Sequence, residues 1–129
     1  MIVVDTSALL AIVKDEPEAA ACSALLEAET KILMSAATLA EALIVAGQKG
    51  LGPAMATLIG RLPIEVVPVT MKTAQQVADT YTRWGKGVHP ARLNFGDCFS
   101  YELAATRSSP LLYVGRDFSQ TDIASALPA

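Results

Sequence analysis

A chain of 129 residues, 52% apolar and 18% charged, with a mean hydropathy of +0.39, has the size of one domain and can bury a core, which excludes an intrinsically disordered chain. Thirteen acidic and ten basic residues leave a formal charge of −3; this argues against a histone-like or tail-driven nucleic-acid binder but not against a local basic surface. Two cysteines far apart, Cys22 and Cys98, and a single histidine, His89, exclude a disulfide framework, a CxxC zinc site and a His-rich metal centre.

In chain order, Ile2-Val3-Val4 reads as a buried strand ending at Asp5. Ser7–Val13 is helical, Lys14–Pro17 a polar break, and Pro17 suits the first turn of a helix through Ala19–Glu29. Lys31–Met34 is a second strand. Ser35 can cap an Ala-rich helix from about Ala37 to Lys49, stopped by Gly50 and Gly52. Pro53–Arg61 is helical, and Ile64–Val67 is a third strand closed by Pro68. Thr70 can cap a helix over Ala74–Trp84, where Ala74, Val77, Ala78, Tyr81 and Trp84 form an apolar stripe. Gly85–Leu93 is an extended loop. Asn94 caps a helix to about Thr106, Leu111–Val114 is a fourth strand, Gly115 turns the chain, and Asp117–Ile123 begins a short helix.

Strands alternating with helices predict an α/β fold with a parallel sheet covered on both faces, as one domain over residues 1–129. Strand runs that are apolar throughout fit burial on both sides. The apolar N-terminus lacks a basic flank and is interrupted by Asp5, and no run of about 18 uncharged apolar residues exists, so a cytoplasmic protein without a membrane span is expected. Cys22 and Cys98 read as reduced core thiols.

In such a fold the functional crevice lies beyond the carboxyl ends of the strands. Asp5 directly follows the first strand with no evident capping role. Asp117 lies three residues after the fourth. Asp97 occupies the first turn of a helix behind the loop, and Glu41 sits within the Ala-rich helix, where Ala37, Thr38, Ile44 and Val45 offer it no helical ion pair. Plain structural roles compete: Asn94-x-x-Asp97 and Asp117-x-x-Gln120 have capping-box spacing, and Glu41 could share a polar stripe with Gln48.

Four motifs carry a resemblance: V-V-D-T-S-A-L-L from Val3, S-x-x-T-x-A-E over Ser35–Glu41, L-N-F-G-D-C over Leu93–Cys98 and G-R-D-F-x-x-T-D-I over Gly115–Ile123. In this order and spacing the chain resembles the PIN-domain nucleases, and within them the VapC toxins of toxin–antitoxin pairs. Gly85–Ala91 (G-K-G-x-H-P-A) is similar to one VapC subgroup. The resemblance implies a three-layer α/β/α sandwich that gathers Asp5, Glu41, Asp97 and Asp117 as the catalytic acids, with Thr6 and Ser7 as supporting hydroxyls. One departure is visible: Arg116 stands where the family usually has Asn or Asp, and a cation there could pair with Asp117 or contact RNA phosphate.

Clustered carboxylates stay ionised together only when a cation neutralises them, and hard Mg²⁺ or Mn²⁺ takes oxygen ligands. Asp5 and Asp97 are the first choices for the metal, Glu41 for orienting water, and Asp117 for completing the cluster. The expected reaction is water attack on an RNA phosphodiester, and the resemblance implies 5′-phosphate and 3′-hydroxyl products, a homodimer, and inhibition by a VapB-type antitoxin. Residues 1–60 hold three basic and seven acidic side chains, and residues 61–129 seven and six. Lys86, His89 and Arg92 in the loop, with Arg116, are candidate RNA contacts, and Trp84 either stacks on a base or completes its helix's stripe. Two other readings compete. A non-catalytic PIN module rests on Arg116. A different Mg²⁺ phosphotransfer enzyme, such as a phosphatase or receiver domain, is opposed by the missing second acid after Asp5.

Overall fold

The computed structural model describes residues 1–128. Its elements run β1 (Ile2–Val4), α1 (Thr6–Val13), α2 (Ala19–Ala28), β2 (Ile32–Ser35), α3 (Ala36–Gln48), α4 (Gly52–Arg61), β3 (Ile64–Val67), α5 (Met71–Trp84), α6 (Phe95–Thr106) and β4 (Leu111–Leu112), followed by a single 3-10 turn at Phe118–Gln120. The strands form one sheet in the order β3-β2-β1-β4, and each pairing is parallel.

Side chains on a strand alternate between its faces, and here each face has its own core. Val3, Leu33 and Leu111 join Val77, Trp84, Cys98, Phe99 and Leu103 on the side covered by α5 and α6. Ile2, Val4, Ile32, Met34 and Leu112 join Leu9, Cys22, Leu26, Ala42 and Met55 on the side covered by α1 to α4. This is the three-layer α/β/α arrangement that the motifs imply. Both cysteines are buried and unpaired. None of the helices among the described residues is long and apolar enough to cross a membrane.

The strand order places the functional crevice. From β1 the chain moves outward through β2 to β3, then returns across the sheet to β4 on the other flank of β1. The carboxyl end of β1 therefore lies at the point where the winding reverses, the position at which open α/β sheets bind ligands. Asp5 sits there, its amide donating to Leu112 O at 3.0 Å.

Several local expectations need correction. β3 is half-exposed rather than buried on both faces, because it is the sheet's edge. β4 is only two residues long. Pro17 precedes α2, whose N-cap is Glu18. Gly50, at φ +72°, turns the chain, but Gly52 opens α4 instead of ending α3. The α5 stripe is split: Val77, Thr80 and Trp84 face the core, whereas Ala74, Ala78 and Tyr81 are exposed and line an open apolar hollow with Val69 and Phe95.

Candidate active site

Asp5 is buried at 4% exposure, and so is Thr6 at 5%. Asp5 is the N-cap of α1, its Oδ2 accepting from the Ser7 amide at 3.1 Å and from Ser7 Oγ at 2.7 Å. The sequence reading missed this capping role. The role also explains how an acid can be held at the end of a buried strand, since a carboxylate at a helix N-terminus is stabilised by free amides and the helix dipole. The other oxygen, Oδ1, accepts from Ser100 Oγ on α6 at 2.5 Å.

Glu41 is half-buried on α3. Thr6 Oγ1 donates to its Oε1 at 2.7 Å and also approaches Thr38 O at 3.2 Å. Across the crevice the Glu41 carboxyl rests on Gly96, where a side chain's Cβ would come within 2.1 Å of Oε2. Glycine at position 96 is thus what lets α3 present its acid beside Asp97.

Asp97 closes a capping box at the start of α6. Its amide donates to Asn94 Oδ1 at 2.9 Å and its Oδ2 accepts from the Asn94 amide at 3.0 Å. That role does not exhaust it. Burial, and then the charges of Asp5, Asp117 and Glu41, raise its pKa from 3.8 to about 7, against the lowering effect of the Asn94 amide. Three carboxylates from separate segments therefore act on the fourth. The neighbouring Cys98 thiol is pushed up to about 11 by burial and by Asp97, so it stays protonated at neutral pH and is no nucleophile.

Asp117 is exposed at the rim and makes no side-chain cap, so the capping box expected with Gln120 is absent. Its segment is tied back to the site by the Val114 amide, which donates to Ser7 Oγ at 3.0 Å. Arg116 is exposed. The ion pairs among the described residues are Met1–Glu29, Lys14–Glu16 and Arg83–Asp122. None involves Arg116 or any of the four acids.

The four acids are gathered at one end of the sheet but not closed up. Among the described residues no three His, Cys, Asp or Glu side chains form a ready ligand cage. Three of the four are held by neutral groups instead: Asp5 by two serines, Glu41 by a threonine, Asp97 by an asparagine. The donor set fits a hard divalent cation, because it is all oxygen, anionic and free of any paired basic side chain. Asp5 and Asp97 would hold such an ion.

Lys86, His89 and Arg92 line an open hollow in the loop between α5 and α6. The loop is closed at its base by the Lys86 amide donating to Leu93 O at 2.9 Å. His89 Nδ1 accepts from the Ala91 amide at 3.0 Å, which leaves Nε2 as the nitrogen able to meet a ligand. Trp84 is buried, edge-on to His89 and covered by Arg83 at 4.6 Å. It packs with Val77 in the core and offers no open face for stacking.

Sequence reasoning missed Ser100, Thr38 and Gly96. The signal was there for two of them, since Ser100 lies one turn after Asp97 and Thr38 one turn before Glu41, on the same helix faces. Gly96 stands within the L-N-F-G-D-C motif, but its role is visible only once α3 and α6 are brought together.

The PIN domain family model matches residues 2–124. Ribonuclease VapC30 of Mycobacterium tuberculosis is 43% identical over 131 residues, spanning 98% of this chain and 99% of the relative. The chain belongs to the PIN-domain family, among the VapC ribonucleases. Solved structures agree on the fold. VapC20 of M. tuberculosis, described as a Sarcin-Ricin loop cleaving toxin, superposes with a TM-score of 0.80 at 19% identity, covering 99% of this chain and 100% of that one. VapBC2 from Rickettsia felis, bound to a DNA fragment from the promoter, does so with a TM-score of 0.71 at 16% identity, covering 97% and 96%.

Proposed function

We propose that this VapC-type chain is a divalent-metal-dependent endoribonuclease toxin, restrained by a VapB-type antitoxin and acting as a homodimer in the cytoplasm. One observation carries the reading. Four acids from separate segments surround the crevice at the end of β1 without a paired cation among the described residues, and burial together with the charges of the other three lifts Asp97 to about 7. A site built to hold like charges together has use for a bound cation. The ribonuclease relatives supply the substrate class, and the VapBC neighbour the class of partner.

Bound there, Mg²⁺ or Mn²⁺ would lower the pKa of a water and stabilise charge developing on the phosphate. The chain's own residues have separate tasks. Asp5 and Asp97 would hold the ion. Glu41, with Oε1 held by Thr6, keeps Oε2 at Gly96 to accept a proton from the attacking water and to orient it. Asp117 at the rim completes the anionic ring. Lys86, His89, Arg92 and Arg116 neutralise backbone phosphates and fix the RNA's path. Hydrolysis leaves a 5′-phosphate and a 3′-hydroxyl. Exposed apolar side chains, with Ile44 at 61%, Phe95 at 73% and Met71 at 79%, supply surface for the second protomer and for the antitoxin.

Induced expression with and without the product of the neighbouring gene, followed by mapping of RNA ends, tests the reading. It predicts growth arrest that needs Asp5, new 5′-phosphate ends, and rescue by the neighbour. Arrest by Asp5→Asn equal to wild type would overturn it.

A further inference from the structure

We infer that Ser100 is a positioning residue which, backed by Thr38, holds Asp5 as a single-oxygen ligand for the metal. The inference rests on the proposed metal-dependent reading and names residues that reading does not use.

Ser100 and Thr38 are each 1% exposed. They come from α6 and α3 and meet with their hydroxyls 3.2 Å apart, while Ser100 Oγ lies 2.5 Å from Asp5 Oδ1. The direction of the protons follows from the inventory. A serine hydroxyl has one proton. Ser100 gives it to the carboxylate, which accepts only, so Thr38 is the donor to Ser100. The chain of bonds runs Thr38 to Ser100 to Asp5, each polarising the next.

An ionised carboxylate has about four lone-pair positions. Ser7 takes two, both on Oδ2, with its amide and its hydroxyl. Ser100 takes one on Oδ1. A single position is left, and it is on Oδ1. Capping of α1 is performed entirely by Oδ2, so the Ser100 bond contributes nothing to the cap. Its effect is to fix the plane of the carboxyl group and the direction of the one remaining lone pair.

The same lattice reaches Glu41, since Thr6 touches Thr38 O as well as Glu41 Oε1. Thr38 therefore bridges the two acids with its hydroxyl on one side and its carbonyl on the other. Ser100, one turn beyond Asp97 on α6, couples the helix that carries Asp97 to the strand end that carries Asp5.

The test uses the full chain with Ser100→Ala, Ser100→Thr and Thr38→Val. It reads Mn²⁺ affinity without RNA by electron paramagnetic resonance, RNA cleavage kinetics, and thermal stability. Ser100→Ala should weaken Mn²⁺ binding about 10–100-fold, the effect of losing a group that orients a metal ligand, and lower kcat with little change in KM for RNA. Ser100→Thr keeps the hydroxyl and should stay within about threefold of wild type, and Thr38→Val should fall between. Wild-type Mn²⁺ affinity in a folded Ser100→Ala overturns the inference while leaving the ribonuclease reading intact. Equal losses in Ser100→Ala and Ser100→Thr also overturn it, since packing rather than the hydrogen bond would then be at work. If Ser100→Ala does not fold, unchanged affinity in Thr38→Val overturns it. Absence of Mn²⁺ binding by the wild type overturns the metal reading and this inference together.

Discussion

Replacing Asp97 by Asn should stabilise the metal-free protein at neutral and alkaline pH while abolishing its activity. In the unfolded chain Asp97 loses its proton near 3.8; in the folded chain burial and three neighbouring carboxylates hold that proton up to about 7. A raised acid pKa means that the fold favours the protonated form, so the associated stability is complete below 3.8 and is lost as pH rises towards 7. With about 1.4 kcal/mol per pH unit between the two values, ionised Asp97 costs the fold about 4 kcal/mol at most. Water at the rim screens part of that, leaving about 2–3 kcal/mol. Asn removes the charge and keeps an Oδ1 able to accept from the Asn94 amide, so the capping box survives. Urea unfolding in EDTA, followed through the single, buried Trp84, measures the difference. Asp97→Asn and wild type should coincide at about pH 4 and diverge by about 2–3 kcal/mol at pH 8, the variant being the more stable. Equal stability at pH 8, or a less stable variant, would refute the claim that burial and the neighbouring acids disfavour ionised Asp97 when no metal is bound.

Other outcomes follow from the same geometry. Mg²⁺ added at pH 8 should raise the melting temperature of the wild type and leave Asp97→Asn unmoved, because only a ligand bound to the native site stabilises it. Gly96→Ala should fold normally, alanine being the better helix former, but its Cβ would displace Glu41 Oε2; RNA cleavage should fall at least about tenfold, the cost of misplacing a group at the chemistry. Arg92 has φ +54°, so Arg92→Gly should stabilise the chain by about 1 kcal/mol in thermal melts. The same change should weaken RNA binding and flatten its salt dependence, as one phosphate contact is lost.

The alternation of short, β-branched or aliphatic runs with longer helical segments was sufficient to give a parallel three-layer fold, because runs of three or four such residues between helices are too short for helices and fit strands. What it could not give was strand order. Ile64–Val67 is mostly apolar, and Glu65 is the one residue in it that hints at the edge position its pairing with β2 alone produces. The acids divide in the same way. Asp5 and Asp97 could be located from their place after a strand and at a helix start. That both cap helices while facing the crevice is a matter of side-chain geometry, in which one carboxyl oxygen serves the helix end and the rest of the group serves the site. Ser100 and Thr38 are marked in the sequence only by lying one turn from Asp97 and Glu41. They acquire a role only because α3 and α6 converge on the end of β1.

The central claim is that these acids cut RNA with a divalent metal. Incubation of end-labelled RNA with the purified wild type and its Asp5→Asn variant, in Mg²⁺ and in EDTA, tests it most directly. The account predicts cleavage by the wild type in Mg²⁺ alone. Cleavage by Asp5→Asn at the wild-type rate, or by the wild type undiminished in EDTA, would contradict it.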